Sequence, residues 1–66
     1  MEIILNGQTR TVGEPMSVSG LISELSLPEK TVIVEYNKLP LERGRYENTR
    51  IKNGDRIEIA TMFAGG

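Results

Sequence analysis

The stretch Met1-Glu2-Ile3-Ile4-Leu5-Asn6-Gly7-Gln8-Thr9-Arg10-Thr11-Val12 decides the architecture. Strand side chains alternate between two faces, so Met1, Ile3 and Leu5 share one face. Asn6-Gly7 readily supplies the two positive φ angles of a type I′ hairpin turn, and Gln8 to Val12 then reads as the returning strand. A two-stranded hairpin is marginal alone in water, so its apolar face requires a second layer.

The next segment provides that layer. Gly13-Glu14-Pro15-Met16 breaks the alternation, and Ser17 stands where an N-cap belongs. Val18, Leu21, Ile22 and Leu25 follow at i, i+3, i+4 and i+7, which places them on one helical face of about two turns. Gly20 weakens this helix by up to about 1 kcal/mol relative to Ala. Pro28 bars continuation past Leu27.

Beyond the helix the period returns to two. Thr31 to Tyr36 alternates Val32, Val34 and Tyr36 against Thr31, Ile33 and Glu35, a strand apolar on nearly both faces. Asn37-Lys38 reads as a turn into a short extended piece at Leu39 and Leu41, which Pro40 places on a sheet edge. Glu42 to Thr49 is polar and irregular, with Tyr46 expected as a small satellite of packing. Asn53-Gly54-Asp55 signals another turn, and Arg56 to Met62 forms a last strand with Ile57, Ile59 and Thr61 on one side.

These elements make a two-layer α+β domain of the β-grasp kind: a mixed sheet of four to five strands with one helix packed across one face. The first and last strands are expected to lie side by side and parallel, with Ile3, Leu5, Leu21, Leu25, Val34 and Ile57 as the main core. Residues 1–62 read as the globular domain and 63–66 as a flexible tail.

Composition removes several function classes. The 66 residues are one domain at most, and they include no Cys and no His. Disulfides, thiol or imidazole catalysis, zinc-finger chemistry and iron–sulfur ligation are therefore excluded. Eight Lys+Arg against nine Asp+Glu give a net charge of -1, without the basic footprint of a nucleic-acid binder. The charges are nevertheless divided: residues 1–37 carry five Glu against Arg10 and Lys30, whereas Lys38, Arg43, Arg45, Arg50, Lys52 and Arg56 crowd the segment 38–56. Ordinary surface solvation accounts for this split, and so does steering of an acidic partner. Apolar runs are too short to span a membrane, and Met1-Glu2 lacks the basic start of a signal peptide. A cytoplasmic location is the expectation.

The order of elements, Asn37-Lys38-Leu39-Pro40 after the middle strand, Asn53-Gly54-Asp55 before an Ile-rich last strand, and the closing Ala64-Gly65-Gly66 together resemble the ThiS/MoaD family of ubiquitin-like sulfur carriers, most of all its thiamin-pathway branch. The resemblance implies a carrier, not an enzyme. An E1-like adenylating enzyme of the ThiF type would activate the Gly66 carboxylate with ATP, a persulfide donor would supply sulfur, and the Gly66 thiocarboxylate would pass it to a thiazole synthase. Phe63, Ala64 and Gly65 would thread the tail into the partner's active site, and no cofactor would be bound by the chain itself.

The residues support this division of labour independently. The chain has no Walker-type loop, no nucleophile–base pair and a single Asp, so catalytic groups must come from a partner. Four residues from Phe63 to Gly66 reach up to about 13–14 Å, and the glycines allow close backbone approach. If Ile3, Leu5, Ile57 and Ile59 face the helix, then Ile4, Ile33, Ala60 and Met62 lie on the opposite sheet face, with Glu2, Thr31, Glu35 and Glu58 around them. These four are either a docking patch or strand residues left partly exposed. A molybdopterin-type or other biosynthetic sulfur carrier, and a noncovalent ubiquitin-like interaction module with an incidental Gly-Gly tail, remain as alternative readings.

Overall fold

The computed structural model describes residues 1–61. Strands β1 (Glu2–Leu5) and β2 (Gln8–Thr11) form the expected hairpin, followed by helix α1 (Val18–Glu24) and strands β3 (Val32–Tyr36), β4 (Leu39–Leu41) and β5 (Arg56–Thr61). They build one five-stranded sheet in the order β2-β1-β5-β3-β4. Every pair is antiparallel except β1 with β5, which is parallel with Ile4 beside Arg56 and Leu5 beside Ile57. This is the β-grasp arrangement. Among the described residues no helix is long and apolar enough to cross a membrane.

The turns follow from backbone chemistry. Asn6 and Gly7 adopt φ of 50° and 83°, and Asn37 and Lys38 adopt 51° and 73°, the left-handed pairs that match the twist of a two-residue hairpin. Hairpin pairing continues past the β2 boundary, since the Val12 N–H donates to the Met1 carbonyl at 2.8 Å. Pro40 lies on β4, an edge strand, where its missing N–H costs nothing to the ladder.

Helix α1 is capped at both ends. Ser17 Oγ accepts the Gly20 N–H at 2.9 Å, and the Leu21 N–H bonds the Ser17 carbonyl. The remaining orphan donors at Val18 and Ser19 reach the carbonyls of Thr49 and Tyr46, each at 3.0 Å. The segment after β4, irregular by its sequence, thus terminates the helix from outside. At the other end Ser26 takes φ 60°, and the N–H groups of Ser26 and Leu27 return to the carbonyls of Ser23 and Ile22. That Schellman closure stops the helix before Pro28 is reached.

The helix covers the face that carries Ile3, Leu5, Ile57 and Ile59. Of the expected core, Ile3, Leu5, Leu21, Val34 and Ile57 are buried, while Leu25 is the helix C-cap and only partly buried against the core. Val12, Val18, Ile22, Val32, Tyr46, Ile51 and Ile59 complete the core. Tyr46 is a correction: it is 2% exposed and belongs to the main cluster, its hydroxyl donating to the Val32 carbonyl at 3.4 Å. Within β5, Thr61 shares the parity of Ile57 and Ile59 but is exposed.

A polar knot fixes the start of β5. Asp55 accepts from Tyr36 Oη at 2.5 Å, from the Lys52 N–H at 2.7 Å and from Asn37 Nδ2 at 3.3 Å. Asn37 Oδ1 accepts the Arg56 N–H at 2.8 Å, so the β3–β4 turn and the turn before β5 are tied together. Burial would raise the Asp55 pKa, but these donors and the Lys52 charge outweigh it and hold the carboxyl below its ordinary value. Burial, and then Asp55 itself, push the Tyr36 phenol up to about 12.

Leu21 is fully buried, so Leu21→Ala should cost about 2–5 kcal/mol in a denaturant melt, a large share of a small domain's stability. A depressed folded-state pKa means that the Asp55 contribution is complete above the unfolded carboxylate value and is lost as pH falls through the folded one. Melts between about pH 6 and about pH 2 should show the parental protein and Asp55→Asn converging at the acid end, and parallel curves would refute the Asp55 assignment.

Candidate functional site

The face of the sheet away from the helix is open. Ile4, Arg56, Glu58, Ala60, Ile33 and Glu35 lie on it, because each alternates with a buried neighbour on its own strand. Ile33 stands directly across from Ala60, and Glu35 directly across from Glu58. Ile33 is 49% exposed and Ala60 is exposed, whereas Ile4 is half-buried.

Strand register separates residues that the sequence grouped. Ile4 pairs with Arg56, four residues before Ala60 on β5, which sets it about 13 Å along the sheet from the Ile33–Ala60 pair. Ile33 and Ala60 therefore form one apolar step near the end of β5, and Ile4 is a separate surface residue between Thr9 and Arg56. Met62 and the tail residues Phe63, Ala64, Gly65 and Gly66 lie outside the described residues.

Asn6, Ile33, Glu35, Glu58, Ile59 and Ala60 line a shallow depression of about 220 Å³ at this end of the sheet. Its lining combines the apolar Ile33, Ile59 and Ala60 with the facing Glu35–Glu58 pair. Like charges directly opposite on neighbouring strands repel, and neither carboxylate has a cation within ion-pair distance among the described residues. The one ion pair found among them, Arg45 with Glu42 at 3.9 Å, is solvent-exposed.

Asn6 is the residue of this site that sequence reading assigned only to a turn. Its side-chain amide donates to the Ile59 carbonyl at 3.2 Å and accepts the Ile59 N–H at 2.8 Å. At the opposite end of the same interface Asn53 Oδ1 accepts the Glu2 N–H at 2.8 Å. Both asparagines precede glycines, and turn propensity explains that pairing without hinting at the side-chain contacts.

The comparisons with known proteins agree with one another. The family model of the ThiS family matches residues 3–66. The crystal structure of a thiamine biosynthesis protein, ThiS, from Geobacter metallireducens superposes with a TM-score of 0.85 at 35% identity, with all of each chain covered. Among curated relatives, a thiazole synthase of Paramagnetospirillum magneticum is 30% identical over 66 residues, and the chain spans 20% of its length. The uncharacterized ycf40 protein of Porphyra purpurea is 29% identical over 66 residues, covering the whole chain and 93% of that relative. Matched over nearly its full length by the family model and over all of it by the solved fold, the chain belongs to the ThiS family.

Proposed function

We propose that this protein is a sulfur carrier of thiamin biosynthesis, a cosubstrate rather than a catalyst, whose Gly66 carboxylate becomes a thiocarboxylate. The observation that carries the reading is the whole-chain likeness to the Geobacter thiamine biosynthesis protein together with Ala64-Gly65-Gly66 in the sequence. The thiazole synthase relative, part of which matches this whole chain, supports thiazole formation as the recipient reaction over a molybdopterin-type pathway. A cytoplasmic location fits such a role.

The chemistry requires two partners before the recipient. A resting carboxylate is a poor electrophile. An E1-like, ThiF-type enzyme overcomes this by directing a Gly66 carboxylate oxygen onto the α-phosphorus of ATP, which releases pyrophosphate and leaves an acyl adenylate. The terminal sulfur of a persulfide then attacks the carbonyl carbon and expels AMP. A thiol cleaves the resulting acyl disulfide, is oxidised to a disulfide with the donor sulfur, and frees the thiocarboxylate. Its sulfur is a softer and better nucleophile than the oxygen it replaced, which suits transfer to a thiazole synthase.

Docking falls to the open sheet face. Ala60 is on β5, the strand that precedes residues 62–66, and Ile33 stands beside it, so a partner seated there can receive the tail in the same encounter. Met62, and Ile4 at a greater distance, extend the contact. The chain itself binds no cofactor in this reading, and the ATP belongs to the activating enzyme.

Incubation with a ThiF-type enzyme, ATP and a persulfide source should produce the thiocarboxylate, and deletion of Gly66 should abolish it while leaving the melting temperature unchanged. Equal modification of the truncated protein would refute the carrier mechanism. Ile33→Asp and Ala60→Asp keep a solvated carboxylate in the free protein but force it into a desolvated contact in the complex. Near-parental melting with adenylation efficiency reduced by about tenfold or more is expected, and parental efficiency would dismiss this docking surface.

A further inference from the structure

β1 ends at Leu5 and the chain turns away at Asn6-Gly7, while β5 runs on to Thr61. The last backbone bond across this parallel interface is from the Asn6 N–H to the Ile57 carbonyl, at 3.0 Å. From Ile59 onward β5 has lost its β1 neighbour, although β3 still pairs with it as far as Thr61. The Asn6 side chain fills that position. Its amide bonds both the Ile59 N–H and the Ile59 carbonyl, the two groups that a continued β1 would otherwise have paired.

We infer that Asn6 is a positioning residue for the carrier reaction, holding the end of β5 on its second edge so that the strand keeps one direction as far as its described end. This rests on the carrier reading above. A partner that draws residues 62–66 into a narrow active site pulls on β5 beyond Ile59. With both edges held, docking of the body places the terminal carboxylate. With one edge free, the same docking delivers it over a wider range of positions, and misplacement by about 1 Å can cost on the order of 100-fold in rate. Asn6 also lines the depression beside Ile33 and Ala60, so the clamp lies next to the surface proposed for docking.

A pure turn role and a positioning role give opposite expectations for Asn6→Gly. Glycine accepts the φ of 50° without strain, so it preserves the turn and deletes only the amide. Exchange of the Ile59 amide proton should accelerate by about tenfold, with the Val34 amide unaffected. In pyrophosphate exchange with a ThiF-type enzyme, well below the melting temperature, the rate at saturating carrier should fall by about tenfold or more while half-saturation stays within about twofold. Asn6→Asp, which keeps the shape and the Ile59 N–H acceptor, should fall between the two. Val18→Ala, a change at a buried residue of the helix start whose N–H bonds the Thr49 carbonyl, serves as a control for lost stability and should keep the parental saturating rate.

Parental saturating rates for Asn6→Gly would overturn the inference, as would an equal loss in Val18→Ala. A rise in half-saturation alone would reassign Asn6 to docking and also overturn it. Failure of the parental chain itself to be adenylated would remove the carrier reading and this inference with it, whereas parental adenylation with an unaffected Asn6→Gly removes the inference alone.

Discussion

The parallel pairing of β1 with β5 is the constraint on which the rest of the molecule depends. It joins the two ends of the described chain, across the largest sequence separation in the sheet. The Gly54 N–H bonds the Glu2 carbonyl, the Ile4 N–H bonds the Asp55 carbonyl and the Asn6 N–H bonds the Ile57 carbonyl. Asn53 and Asn6 add side-chain bonds at the two ends, to Glu2 and to Ile59. Loop-closure entropy opposes such a contact, and the buried faces of Ile3, Leu5, Ile57 and Ile59 beneath the helix offset it. Remove that seam and the hairpin, the helix and the β3–β4 pair have no common sheet.

The same seam organises the functional end. β5 is central in the sheet, flanked by β1 and β3, and therefore its direction is set by neighbours on both sides. A carrier needs this combination: a body rigid enough to be recognised and a terminus thin enough to enter an active site that the body cannot enter. Chemistry can then reside wholly in partners, in keeping with a chain that has neither Cys nor His. The Glu35 and Glu58 carboxylates, opposed across β3 and β5 and without an ion-pair partner among the described residues, place negative charge beside the apolar step.

Local signals made most of the fold legible. Asn6-Gly7 and Asn37-Lys38 marked two hairpins, Ser17 marked the helix start, and alternation assigned Ile3, Leu5, Val34 and Ile57 to the interior. What local signals could not carry were the contacts between distant segments. Tyr46 and Ile51 lie in polar surroundings, so no period announced their burial, and the carbonyls of Tyr46 and Thr49 cap the helix only because the loop folds back onto it. Ile4 shares a face with Ile33 and Ala60, as alternation required, yet register places it at the other end of that face. Face is a property of one strand, whereas neighbourhood depends on the stagger of three.

Sulfur carriage at Gly66 is open to intact-mass measurement of the protein isolated from its native host. A fraction of molecules should be heavier by about 16 Da, the exchange of one oxygen for sulfur, with the added mass confined to the C-terminal peptide and lost on hydrolysis. Unmodified mass throughout, under conditions in which the host is making thiamin, would contradict it.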